Sequence, residues 1–238
     1  MGYPTNLTYG ISTQVQQKPL GMYPLPDPFH TSANTGLDVV TYANDFFGIG
    51  STTLDWTITG SSSTFACTDG LGGWALVTPG GTTTATAVYQ AHSGFQFVSG
   101  QAFWYLCRIK ASAVSGNKAF YFGLRSGSSA NDGLWFAKAA ASTSLNLVST
   151  VGSSAATLVT GVTTTVADTF MDVGFYYNGT DLLVYSDDAL VARVSAPTIG
   201  ASGTTLTNAL LAPVFQITPT ATDTLTIDYV MAAQETSR

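Results

Sequence analysis

Along residues 101–110 the side chains alternate, with Phe103, Tyr105, Cys107 and Ile109 on one parity and Trp104, Leu106, Arg108 and Lys110 on the other. A period of two puts successive side chains on opposite faces of an extended chain, so this run predicts a β-strand with one face in a core. Residues 118–125 repeat the pattern through Phe120, Phe122 and Leu124, and Asn131-Asp132-Gly133 punctuates the chain before Leu134-Trp135-Phe136. Further on, residues 171–177 and 181–185 flank Asn178-Gly179. That dipeptide predicts a hairpin, because both central residues of a type I′ turn need φ > 0. Asp187-Asp188 turns the chain into residues 189–194, and a last strand over 224–232 sets Leu225, Ile227 and Tyr229 against Thr226, Asp228 and Val230. No segment holds a 3.6-residue period over three turns, so helices are not expected.

Residues 139–165 are mostly Gly, Ser, Thr and Ala and resemble a linker in composition. Leu145, Leu147 and Val151 nevertheless share a parity, and Leu158 and Val162 recur more loosely, which predicts small-residue edge strands. Many short strands at this turn spacing imply an all-β fold, an antiparallel β-sandwich of jelly-roll type with concanavalin-like or laminin-G-like topology. Four Trp, eleven Tyr and thirteen Phe supply its core, and Trp56, Trp74, Trp104 and Trp135 are expected there first and as a ligand platform second.

The first 36 residues differ. Five of the nine prolines (Pro4, Pro19, Pro24, Pro26 and Pro28) fall here, and proline removes backbone donors and fixes φ, so the stretch is expected to be an extended arm. It carries Tyr3, Leu7, Tyr9, Ile11, Val15, Leu20, Met22, Tyr23, Leu25 and Phe29 but only Lys18 and Asp27 as charges, a poor composition for a solvated linker. At about 3.3 Å per residue it could reach on the order of 100 Å, across its own sandwich or onto neighbouring subunits. The expected organisation is an arm over 1–36 and one sandwich domain over 37–238.

Charged residues make up only 9% of the chain, where about a quarter is usual, and the net charge is −6 with eight scattered Lys and Arg. That excludes the basic stripe which nucleic acid needs. There is no cationic segment followed by an apolar run at the N-terminus and no stretch of 18 apolar residues, so neither a leader nor a membrane span is expected. Cys67 and Cys107 are too few for a disulfide framework or a zinc site; reduced core thiols and a bridge between two strands both fit.

Candidate chemistry is sparse. The single glutamate, Glu235, lies near the C-terminus and no Glu-x-Asp-x-x-Glu pattern occurs, so the paired carboxylates of a glycoside hydrolase are missing. His30 and His92 are the only imidazoles and no Gly-x-Ser-x-Gly elbow is present. Asp132 beside Asn131, and Asp187-Asp188, could offer oxygens to calcium but are also ordinary turn chemistry, and no metal or cofactor is expected. The chain is not expected to be an enzyme.

Four segments carry a family resemblance: Pro4-Thr5-Asn6-Leu7 with Gly10; Asn44-Asp45-Phe46-Phe47 followed by Trp56; Gly174-Phe175-Tyr176-Tyr177-Asn178-Gly179; and the ending Asp228-Tyr229-Val230-Met231-Ala232-Ala233-Gln234-Glu235. Through them the sequence resembles the decoration, or cement, proteins of tailed-bacteriophage capsids. The resemblance implies a virion protein made in the host cytoplasm. It would bind the major capsid protein on the capsid exterior, as a homotrimer ahead of a homodimer. The partner-binding residues would then lie in the arm: Tyr3, Pro4, Asn6, Leu7, Tyr9, Ile11, Leu20, Tyr23, Leu25 and Phe29. A carbohydrate-binding concanavalin-like module, or a tail or fibre subunit, is the alternative.

Overall fold

A computed structural model describes residues 39–46, 55–68, 73–81, 85–114, 118–127, 131–219 and 223–236. The arm over 1–36, with every partner-binding residue expected in it, lies outside them. Strands are numbered along the chain and form two sheets. In sheet A the order is β13 (Ala189–Val194), β12 (Leu182–Ser186), β11 (Met171–Asn178), β6 (Ala102–Ala111), β17 (Leu225–Glu235), β4 (Trp74–Thr78) and β3 (Thr64–Thr68). A further strand, β1 (Val39–Asn44), pairs with β17 over Val230–Glu235, past the stretch that β4 occupies. Sheet B runs β10 (Ser154–Thr164), β9 (Ser144–Val151), β8 (Gly133–Lys138), β7 (Ala119–Arg125), β16 (Ala212–Thr218), β5 (Thr86–Gln90) and β2 (Trp56–Ile58). Both sheets are antiparallel throughout; β14 (Ile199–Gly200) and β15 (Leu206–Thr207) form a small parallel pair.

The alternation read from the sequence explains the layering. Phe103, Tyr105, Cys107 and Ile109 of β6 point between the sheets, as do Phe120, Phe122 and Leu124 of β7 and Leu134 and Phe136 of β8. The centre is an aromatic stack: Phe175 lies 5.2 Å from Tyr105 and 5.9 Å from Phe103, both nearly parallel, and reaches Phe136 of the opposite sheet at 6.3 Å. Such pairs add about 0.5–1.5 kcal/mol each beyond the area they bury. The small-residue segment forms β9 and β10 as expected, with Leu145, Leu147 and Val162 buried and β10 on the sheet edge.

Several expectations are corrected. The β11–β12 hairpin is centred on Gly179-Thr180, because Asn178 and Asp181 are its hydrogen-bonded flanks. Only Gly179 has φ > 0, at 90°, the requirement of a type II′ turn. Asn178 instead caps the loop, its Oδ1 accepting from the amides of Thr180 and Asp181. The I′ geometry appears at Asp187-Asp188, with φ of 45° and 71°. In β17 a register shift between Ile227 and Tyr229 reverses parity, so Val230 joins Ile227 in the core and Tyr229 packs on the other face. Of the four tryptophans only Trp56 belongs to the inter-sheet core. Trp104 and Trp74 have the outward parity of sheet A and Trp135 that of sheet B. Cys67 is exposed, its Sγ donating to the Phe46 carbonyl at 3.2 Å, while Cys107 is buried, and no bridge joins the two.

Candidate functional site

Antiparallel pairing brings three rows of side chains onto the outer face of sheet B. The middle row runs Tyr89, Val214, Gly123, Trp135 and Val148 across β5, β16, β7, β8 and β9. Gln216, Tyr121, Ala137 and Asn146 flank it on one side, and Ala212, Arg125, Gly133 and Thr150 on the other. In their midst Tyr121, Arg125, Trp135, Val214, Gln216 and Thr218 line a cleft of about 290 Å³. That is near the lower end of small-ligand sites, ~300–1,000 Å³.

Two glycines set the floor. A Cβ on Gly133 would stand 2.5 Å from Cζ3 of Trp135 and 2.4 Å from the carbonyl oxygen of Leu124. One on Gly123 would stand 2.6 Å from the Cα of Trp135. Only bare backbone lets the indole lie this close to the sheet. Beside it, Arg125 donates from Nη1 to Oε1 of Gln216 at 2.7 Å and from Nε to the carbonyl of Gly127 at 3.3 Å. Burial draws the Arg125 guanidinium below its ordinary pKa. The pair therefore presents a guanidinium and an amide held by one another, next to an indole and a phenol. The lining thus combines aromatic rings with planar hydrogen-bonding groups.

Among the described residues no carboxylate occupies that face. Asp132 stands at the β7–β8 turn, where its Oδ1 accepts from the amide of Gly152 at 3.0 Å and the hydroxyl of Thr207 at 2.8 Å. Asp187 accepts from the amide of Asp172 at 3.1 Å. Glu235 accepts from the amide of Ala102 at 2.9 Å, on sheet A. Asp132, Asp187 and Glu235 thus each hold backbone or a turn, and no group of three metal-ligating side chains occurs among the described residues. His92 sits exposed in the β5–β6 connection. The sequence reading missed the cleft. Tyr121 and Arg125 were the off-parity members of a recognised strand, but nothing local tells that β16, some ninety residues later, brings Gln216 beside them.

No family model matches the sequence, and no curated protein does. Solved structures do match in three dimensions. Endo-1,3-β-glucanase from Streptomyces sioyaensis superposes with a TM-score of 0.62 at 12% identity, covering 87% of this chain and 100% of the other. The exoplasmic/lumenal domain of VIP36 in its Ca2+/Man2-bound form gives 0.57 at 12% identity, covering 83% and 88%. Bacillus licheniformis β-glucanase gives 0.57 at 10% identity, covering 83% and 98%. At these identities the likeness shows the fold: an all-β, two-sheet antiparallel sandwich of concanavalin-like type.

Proposed function

We propose that this protein is a carbohydrate-binding module that holds a sugar in the cleft on the outer face of sheet B and does not cleave it. One observation carries the reading: an indole and a phenol wall a small cleft whose polar groups are the amide of Gln216 and the guanidinium of Arg125. Sugar rings offer apolar C–H faces to aromatics and hydroxyls to planar donors and acceptors; the half-buried Tyr121 and Gln216 present one group of each kind, with the buried Trp135 and Arg125 beneath them. Support comes from neighbours whose names include two glucanases and a mannose-bound domain. Glycoside hydrolysis uses two carboxylates flanking the bond, about 5–5.5 Å apart in retaining enzymes. The described part of this face carries none, which favours binding over hydrolysis.

The test is a glycan array followed by titration calorimetry on wild-type protein and on Trp135→Ala and Gln216→Ala. Binding to at least one glycan, lost in Trp135→Ala with unchanged far-ultraviolet circular dichroism, is expected. An array without a hit, with and without calcium, overturns the reading, and release of reducing ends from a soluble β-1,3-glucan overturns its non-catalytic part.

A second reading, decoration of a bacteriophage capsid as a homotrimer, draws on the apolar, proline-rich sequence of residues 1–36 and on a chain of which only 9% is charged. Counting copies of the chain per purified virion tests it: hundreds support a shell role, and none removes it.

A further inference from the structure

Sheet A ends on one side at β13, which pairs with β12 and, among the described strands, with no other. Two of the four large apolar residues exposed among the described ones stand here side by side, Leu190 at 54% and Val191 at 41%. The other sheet edges differ. β10 carries two register shifts, β3 exposes Thr, Ala and Cys side chains, and β2 has only three residues. β13 holds neither the proline nor the lysine that commonly guard an edge against pairing.

Its backbone is set for a partner like itself. Ser186 and Ala189 close the two-residue turn as a hydrogen-bonded pair, so Tyr185–Leu190 is a non-bonded pair and Leu190 turns its amide and carbonyl to the free edge. One extra residue then enters before Ala192, and Arg193, opposite Leu183, again faces outward. Tyr185 and Leu183 share a face of the sheet. The bulge therefore puts Leu190 and Arg193 on one face although an odd number of positions separates them. In an antiparallel pair related by a two-fold axis, residues set opposite one another must share a face. A two-fold between Val191 and Ala192 meets that condition, with each Leu190 opposite Arg193 of the second copy and each Asp188 opposite Ser195.

Charge agrees with this register. Arg193 donates from Nη2 to Asp181, and Asp181 accepts from the Ala196 amide at 3.1 Å, so the guanidinium is drawn along the chain toward Ser195. The Arg193 side chain is still 60% exposed. Asp188 of the second copy arrives beside that cation, and the Arg193 stem lies over Leu190 of the second copy. We propose that β13 joins two copies of this chain, antiparallel about that axis, so that their sheets A run on as one. The contact is independent of the sugar cleft, which lies on the other sheet.

The experiment is analytical ultracentrifugation of the full chain from the micromolar to the millimolar range, with amide hydrogen exchange at both ends of the series. The weight-average mass should rise from 24.8 kDa toward twice that value. The Leu190 and Arg193 amides should exchange fast in dilute protein and slowly in concentrated protein. Leu190→Lys should stay monomeric throughout, while Leu210→Lys, which changes a similarly exposed residue in the β15–β16 connection, should dimerise as the wild type does. Asp188→Asn should weaken the dimer about 2- to 30-fold, as the loss of two symmetric cross-strand charge pairs would. A mass that stays at one chain, a trimer, or a dimer that survives Leu190→Lys overturns the proposal. So does a dimer whose Leu190 and Arg193 amides keep the dilute rate, or one lost in Leu210→Lys. An undiminished dimer in Asp188→Asn overturns the role given to that carboxylate.

Discussion

Gly133→Ala tests whether the floor of the sheet B cleft is as tight as its geometry says. The added methyl would sit 2.4 Å from the carbonyl oxygen of Leu124 and 2.5 and 2.7 Å from Cζ3 and Cε3 of Trp135, where carbon atoms need more than 3 Å. The first neighbour is backbone of the paired strand β7, and the second is an indole already 92% covered by its surroundings, since Trp135 is 8% exposed. Neither moves away cheaply, so β7 and β8 must part or the ring must lift. Overpacking of this kind costs about 1–3 kcal/mol, and two rigid neighbours place this case at the upper end, ~3 kcal/mol. Gly94→Ala is the internal control, because nothing lies within 4 Å of its Cβ position. There the reduced freedom of the unfolded chain is expected to stabilise by about 0.4–1 kcal/mol. Urea titrations of the two variants should move their midpoints in opposite directions, with Gly133→Ala also altering near-ultraviolet dichroism from Trp135. A Gly133→Ala midpoint equal to or above wild type would refute the account of the floor.

Three other outcomes follow from single contacts. Tyr177→Phe removes the hydroxyl that donates to the Gly179 carbonyl at 2.7 Å; because the Gly100 amide also donates to that oxygen, the acceptor stays satisfied and the loss should be only ~0.5–1.5 kcal/mol by denaturant titration. The Asp181 carboxylate is held below the ordinary aspartate value of 3.8 by the Arg193 hydrogen bond and then by the Ala196 amide. Its contribution is complete above pH 3.8 and is lost as pH falls toward the lowered folded-state value, since the unfolded chain takes up the proton first. Asp181→Asn should therefore flatten stability against pH in that acid window, and an unchanged slope would count against the pair. Burial pushes the Cys107 thiol well above its usual pKa, while Cys67 is exposed. A thiol reagent should label one cysteine in the native protein and two in denaturant; two in the native state would contradict the placement of Cys107.

The strands with strict alternation were legible because burial of one face writes itself into neighbouring residues, as in β6 and β7. What alternation cannot show is which face has no partner sheet. Trp104 and Trp135 read as core residues by size and both are buried, yet they sit on the outer faces of different sheets, Trp135 in the cleft. The turn at Gly179 moved by one residue because Asn178 satisfies the amides of Thr180 and Asp181 through its side chain and needs no left-handed backbone. The parity reversal in β17 came from the irregularity at Asp228, which bonds Arg108 at 3.1 Å. Such a bulge is fixed by a residue more than a hundred positions away. The cleft itself was invisible for the same reason, since Gln216 and Arg125 meet only through the pairing of β16 with β7.

The position of β17 inside sheet A governs the order in which the molecule is completed. Its neighbours are β6, β4 and β1, so three strands made earlier in synthesis share one late partner. At about 5–20 residues per second, roughly 10–40 s separate the making of β1 from that of β17. Through that interval the aromatic edge of β6 has no mate and β1 has none either. Sheet A therefore cannot close until β17 has been made, and lesions in β17 should lower yield more than lesions of equal size in the edge strand β10.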